Sequence, residues 1–153
     1  MSPSALYRTV ARAEAITWTL LILAMILKYG IKVGDWPVSI AGFIHGFVFL
    51  SYIATAVLVG MNQRWRKRLI LGAAATSIVP FLTIPFDKWL ERNGKLDGQW
   101  RTTATDHPGD KSWMDSLMRW LVARPVLTAV ILFVVIVGVF SSMLVMGPPG
   151  GRS

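Results

Sequence analysis

The chain has 153 residues, of which 54% are hydrophobic and only 16% charged, whereas an ordinary soluble domain carries roughly 25% charged residues. That balance excludes a typical water-soluble domain, and the length leaves no room for a separate catalytic module beside the apolar segments described next. Cysteine is absent, which removes disulfides, thiolate nucleophiles and cysteine metal sites, and the net charge of +8 points in so apolar a chain to anionic headgroups and membrane topology rather than to nucleic acid.

About 20 apolar residues in a helix cross roughly 30 Å of hydrocarbon, and four stretches qualify. The first runs from about Val10 to Tyr29. Lys28, Tyr29 and Gly30 follow it without a small-x-small cleavage site, so it reads as a retained helix rather than a signal peptide. The second runs from about Pro37 to Met61, opened by Trp36-Pro37 and closed by Gly60 and Asn62. The third runs from about Arg68 to Phe86 and carries Pro80 and Pro85, which should kink it. A polar stretch from Asp87 to Arg124 comes next, and its middle, NGKLDGQWRTTATDHPGD, reads as loop, with His107 solvated. Over 112–123, Trp113, Met114, Leu117, Met118 and Leu121 recur at helical spacing opposite Ser112, Asp115, Ser116 and Arg119. That pattern predicts an amphipathic helix lying in the membrane interface or packed on a protein partner. The fourth span, 125–147, is apolar on nearly every face, and the tail GPPGGRS is too short to fold alone. The expected fold is an all-α polytopic membrane bundle of four transmembrane helices plus one amphipathic interfacial helix.

Four spans put both termini on one side. Seven Lys and Arg residues then share the terminal side and nine face the other. The cluster Arg64, Arg66, Lys67 and Arg68, a short hairpin without an acid, nonetheless favours cytoplasmic termini, because these cations would otherwise cross the bilayer unpaired. The same four residues are the expected contacts to lipid headgroups.

Ionisable residues at membrane depth cost about 2.5 to 3.5 kcal/mol each on insertion scales, so each needs a reason. Glu14 lies about one turn inside the first span, where Arg66, Lys67 or Arg68 could neutralise it. Lys28 ends that span at the opposite surface, where antiparallel geometry predicts Asp87 as its partner; a snorkelling lysine is the alternative. His45 is deeper. Gly42 and Gly46 flank it in a small-xxx-small face that admits a neighbouring backbone, and the third helix offers the matching patch from Gly72 to Ser77. Close approach would let His45 reach Ser77, Thr83 or a carbonyl freed by Pro80 or Pro85. A neutral imidazole joining two helices is the expected role, with proton transfer or a quinone headgroup as the functional alternative.

Residues Ala13-Glu14-Ala15, Leu27-Lys28-Tyr29, His45-Gly46, Val79-Pro80-Phe81, Phe86-Asp87 and Trp89 together resemble a small bacterial integral-membrane family of about three helices, marked by a His-Gly dipeptide in its middle helix. The resemblance covers 6–92; the polar loop with its amphipathic helix (93–124) and the fourth span (125–147) lie outside it. It implies a bacterial plasma membrane, a fold and occasional fusion to transporter domains, and it carries Glu14, Lys28, His45, Gly46, Pro80 and Asp87. It implies no reaction.

No nucleophile with its base, paired carboxylates or metal cage is visible within the spans, and no phosphate-binding loop or nucleic-acid surface. The expectation is therefore a chain that is not an enzyme, with no catalytic residues, cofactor or metal. It would be an accessory or scaffold subunit of a respiratory or transport assembly, touching lipid and docking protein partners through 125–147 and 112–123. The alternative is a small transporter or proton-handling module using Glu14, His45 and Lys28.

Overall fold

A computed structural model describes residues 1–146, all of whose regular structure is helical; the Gly/Pro-rich tail and Arg152 lie outside them. Helix α1 spans Pro3–Ile26, with the Ser2 hydroxyl accepting from the Ala5 N–H at 3.2 Å as its N-cap, and continues as a π turn over Leu27–Ile31. Helix α2, Trp36–Asn62, returns antiparallel to it. The turn between them, 32–35, defines the far end of the bundle. Met1 and Asn62 share the near end, where the Asn62 amide and the Met1 carbonyl both bond the segment around Gln99 and Trp100.

The third predicted span is not one helix. It divides into α3, Lys67–Thr76, and α4, Thr83–Arg92. Ten residues rise only about 15 Å, half of a hydrocarbon core. The break has a local cause. The Thr76 and Ser77 hydroxyls turn back onto the Ala73 and Ala74 carbonyls, Pro80 supplies no N–H, and Phe81 adopts the left-handed region at φ 64°. The chain then reverses instead of continuing. On α3, Ile70 packs near Gly60 and Thr76 bonds Tyr52, so α3 descends from the near end. On α4, Thr83 bonds Glu14 whereas Glu91 pairs with Arg8, so α4 climbs back to the near end. The two form a helical hairpin with its tip, Ile78 to Leu82, exposed and level with the middle of α1, where Trp18 bonds Ser77.

Two expectations change as a result. The polar stretch after α4 lies at the near end, beside the chain's beginning, not at the opposite one. Helix α6, Pro125–Met146, therefore starts at the near end and runs antiparallel to α2, placing Phe133 against Phe47 and Phe140 against Phe43, so that Met146 reaches the far end. Among the described residues three helices are long and apolar enough to cross a membrane, α1 with its π turn, α2 and α6, where the sequence predicts four.

The amphipathic segment does form a helix, α5, Trp113–Val122, with Met118 buried and Trp113, Met114, Leu117 and Trp120 exposed. The core lies in the near half, where Tyr7, Ala11, Tyr52, Ala56, Val59, Trp65, Ala73 and Leu90 close around the hairpin. Gly60 is where α3 comes closest to α2: a Cβ there would lie 2.7 Å from Ile70 Cγ1, inside van der Waals contact.

Candidate functional site

The hairpin closes over a row of buried polar side chains whose single protons can be assigned. The Thr76 hydroxyl donates to the Ala73 carbonyl at 2.6 Å, so it accepts from the Tyr52 hydroxyl at 3.0 Å, and Tyr52 in turn accepts from Tyr7 at 2.6 Å. This chain ties α1, α2 and α3 in sequence. Two to three turns deeper, the Thr17 hydroxyl donates to the Glu14 carbonyl at 2.9 Å and hence accepts from His45 Nδ1, 3.0 Å away. The Trp18 ring lies 4.5 Å from the imidazole, and its indole N–H donates to the Ser77 carbonyl at 3.1 Å, one of the groups freed where α3 ends. The Glu14 carboxyl is fully buried, with Oε2 2.8 Å from Thr83 Oγ1.

Most expected partners are replaced by others. His45 does find its mate on an adjoining helix, but that helix is α1 and the mate Thr17; neither Ser77 nor Thr83 reaches it. Ser77 serves instead through its carbonyl, toward Trp18. Gly42 and Gly46 do not face the third helix. A Cβ on Gly42 would only just touch Leu21 of α1, whereas one on Gly46 would lie 2.6 Å from the Phe140 ring, so Gly46 is where α6 comes in close. Lys28 pairs with Asp35 at 3.1 Å across the far turn, because the reversal at Pro80 carries Asp87 to the near end; there Asp87 faces Arg8 at 3.9 Å. Arg66, Lys67 and Arg68 stand exposed at the mouth of the hairpin and make no ion pair with Glu14, which lies below them. Arg64 turns to Asp110 at 2.7 Å.

A second cluster lies in the segment that reads as loop. Arg101 uses all five of its N–H groups: Nε and Nη2 donate to the Asn62 and Met61 carbonyls at 2.6 and 2.8 Å, Nη1 to Asp110 at 2.9 Å, and both Nη atoms to Asp115 at 2.8 and 2.9 Å. It thereby caps the orphan carbonyls of α2 while holding the first turn of α5. Asn62 completes the joint, accepting from the Arg101 backbone N–H and donating to the Gln99 carbonyl. Arg119 adds a bond to Asp115 four residues before it and another to the Asp110 carbonyl. The Thr105 hydroxyl and N–H, each 2.7 Å from Asp110, followed by Arg64, hold that carboxyl well below the usual carboxylate range. Sequence reasoning missed this cap. The available signal was acids at 110 and 115 flanked by arginines at 101 and 119, but only the fold brings Arg101 under the end of α2.

Between α2, α5 and α6 opens an apolar cavity of about 410 Å³, lined by Leu58, Leu121 and Leu132 with Thr55, Thr128 and Trp100. No three His, Asp or Glu side chains converge as a metal cage among the described residues.

The geometry is that of a helical bundle with most of its buried hydroxyls and its one buried imidazole spent on joining helices, and the comparisons agree on a membrane protein. A Streptomyces coelicolor protein named "Putative membrane protein SCO5905" is 38% identical over 88 residues, 57% of this chain and 10% of that protein. The chain thus spans about a tenth of the length of the curated relative it matches. No solved structure matches. The model of the domain of unknown function DUF3817 matches residues 4–92, from the start of α1 to the end of the hairpin, and the chain belongs to that family.

Proposed function

We propose that the chain is a non-catalytic module of the bacterial plasma membrane, an accessory or scaffold subunit of a larger respiratory or transport assembly. The observation that carries this reading is the proton assignment in the core: Tyr7, Tyr52, Thr76, Thr17 and His45 each have their donor committed to a neighbouring helix or carbonyl. Groups committed in this way join helices and hold nothing toward a substrate. A path across the membrane within one chain finds no support in the far half, where Leu20, Leu23, Leu27, Ile40 and Ile44 line an apolar cavity of about 250 Å³ between α1 and α2. The Streptomyces relative, in which the matched region is a tenth of the chain, favours a module that accompanies larger machinery. The exposed side of α6 and the apolar face of α5 would be the docking surfaces.

In this reading α1, α2 and α6 cross the bilayer and α3–α4 enters it from the near side and leaves on the same side. Re-entrant backbone is tolerated at depth where protein or a neighbouring subunit covers it; α1 covers the flanks of the turn, through Trp18 to Ser77 and Glu14 to Thr83, while the tip from Ile78 to Leu82 stays exposed in the single chain. Lys28 and Lys32 are then the only cations at the far end among the described residues, and every other Lys and Arg of 1–146 lies in the near half. The positive-inside bias makes the near end cytoplasmic.

Mild-detergent purification of the tagged chain, with mass spectrometry of what accompanies it, tests the proposal. A stoichiometric membrane partner, lost when Val134 and Val137 on α6 are replaced by larger residues, supports it. A chain that purifies alone and catalyses proton or solute flux in proteoliposomes, abolished by His45→Ala, overturns it in favour of the transport alternative.

A further inference from the structure

Among the described residues Glu14 is the one buried carboxyl without a cation in ion-pair reach. Its side chain has no exposed surface, it sits where the hairpin reverses at mid-depth, and among the described residues no Lys, Arg or His nitrogen comes within ion-pair distance of it. Asp87, the other acid of the core, has Arg8 beside it. Oε1 of Glu14 has no hydrogen-bond partner at all. The Trp18 indole also lies toward this carboxyl, but its N–H donates to the Ser77 carbonyl at 3.1 Å.

The hydroxyl of Thr83 is the hydrogen-bond partner of the carboxyl and is compatible with a proton on it. It lies 2.8 Å from Glu14 Oε2 and 3.4 Å from the Ala11 carbonyl. A carboxylate and a carbonyl both accept, and threonine has a single proton to give. Were Glu14 ionised, Thr83 would spend its proton on Oε2, and the contact to Ala11, long for an O–H···O bond, would hold none. A proton on Oε2 gives both contacts a hydrogen: Glu14 donates to Thr83, and Thr83 turns its own toward Ala11. An ionised carboxylate in this place would also bear its full desolvation cost with nothing opposite it.

We propose that Glu14 is a proton-binding site, occupied in this fold, and that the neutral carboxyl is what seats α4 against α1. The titratable and charged groups around it are Asp87 on α4, Tyr52 and His45 on α2, and Arg8 and Arg12 on α1 itself; Thr76 and Ser77, the polar residues of α3 nearest the tip, are uncharged. Arg8 is spent on Glu91 and Asp87, His45 on Thr17, and Arg12 points to the exposed side of α1 with no ion pair to Glu14, so none of the three supplies a counter-charge. Losing the proton leaves a bare anion beneath the hairpin and draws water in from the near end, loosening α4. This inference is independent of the accessory role, since a scaffold and a transporter alike could hold a protonated acid.

A hydrophobic carbodiimide tests it on the full chain in proteoliposomes at neutral pH. A protonated carboxyl adds its O–H across one C=N bond, the proton going to nitrogen and the oxygen to the central carbon; acyl migration to nitrogen then leaves a stable N-acylurea that mass spectrometry locates. The expected result is modification at Glu14, lost in Glu14→Gln. Infrared spectroscopy of the same samples is expected to show the carbonyl stretch of a protonated carboxylic acid that disappears in Glu14→Gln and survives Asp87→Asn. Absence of that band from the folded wild type, or protection of Glu14 from the reagent by sodium at constant pH, overturns the proposal; the second result would make the site one for a metal cation.

Discussion

Replacing Arg101 by lysine keeps the charge and removes the fork. One ammonium cannot reach the Met61 and Asn62 carbonyls and also grip Asp115 through two parallel bonds. Breaking a largely buried ion pair costs about 3 to 5 kcal/mol. Arg101 retains some exposure, so Arg101→Lys is expected to destabilise the cap by roughly 2 kcal/mol, read as faster proteolysis within 93–112 while the tyrosine core keeps its melting temperature. Asp110 gives the same joint a pH signature. Its folded pKa lies below the ordinary carboxylate value, so its contribution is fully present above about pH 4 and is lost only as the pH falls through the lower folded value. Protease resistance of the cap should therefore stay flat from neutral to about pH 4 and fall below it, whereas Asp110→Asn should be labile already at neutral pH. That His45 needs a partner was legible from its depth in an apolar run; that the partner is Thr17 was not, because residues 28 apart meet only once the helix pairing is known.

The third apolar stretch shows where hydropathy stops being informative. A window average over 68–86 counts apolar side chains and is blind to direction, so a span and a hairpin of two half-length helices score alike. Pro80 and Pro85 marked a disturbance, but a proline in a bilayer helix more often kinks it than reverses it. What decides for reversal is the pair of hydroxyls at Thr76 and Ser77 together with the left-handed Phe81. A non-glycine residue in that region costs roughly 1 to 2 kcal/mol. Phe81 is substantially exposed at the tip, so little packing is lost with its ring. Phe81→Gly is accordingly expected to stabilise the hairpin by about 1 kcal/mol relative to Phe81→Ala, as a higher melting temperature in detergent; equal stabilities would mean that the turn is not strained. The small-residue face at Gly46 was legible as a site of close approach, and only its visitor differed: an aromatic ring from α6 fills it, since α3 ends before it reaches that level.

Reversing one hairpin inverts everything after it, which is why the membrane orientation was the least legible property of the chain. With four spans, the polar segment 87–124 faces away from the chain's beginning and the cations divide almost evenly. With three spans and a re-entrant pair they gather at one end, and the uneven charge distribution that orients membrane proteins emerges from the same residues. The bonds from Arg101 to Met61 and Asn62, and from Trp100 to Met1, require that gathering, because they tie the disputed segment directly to the near end of α1 and α2. Since the chain contains no cysteine, single substitutions report on topology without background. Thr103→Cys, in the cap, and Val33→Cys, in the far turn, are both exposed positions. In intact cells a membrane-impermeant maleimide is expected to label Val33→Cys and to reach Thr103→Cys only after permeabilisation. A bundle of four full spans places the two on the same face and predicts equal labelling, so matching accessibility would refute the re-entrant hairpin and restore the third crossing.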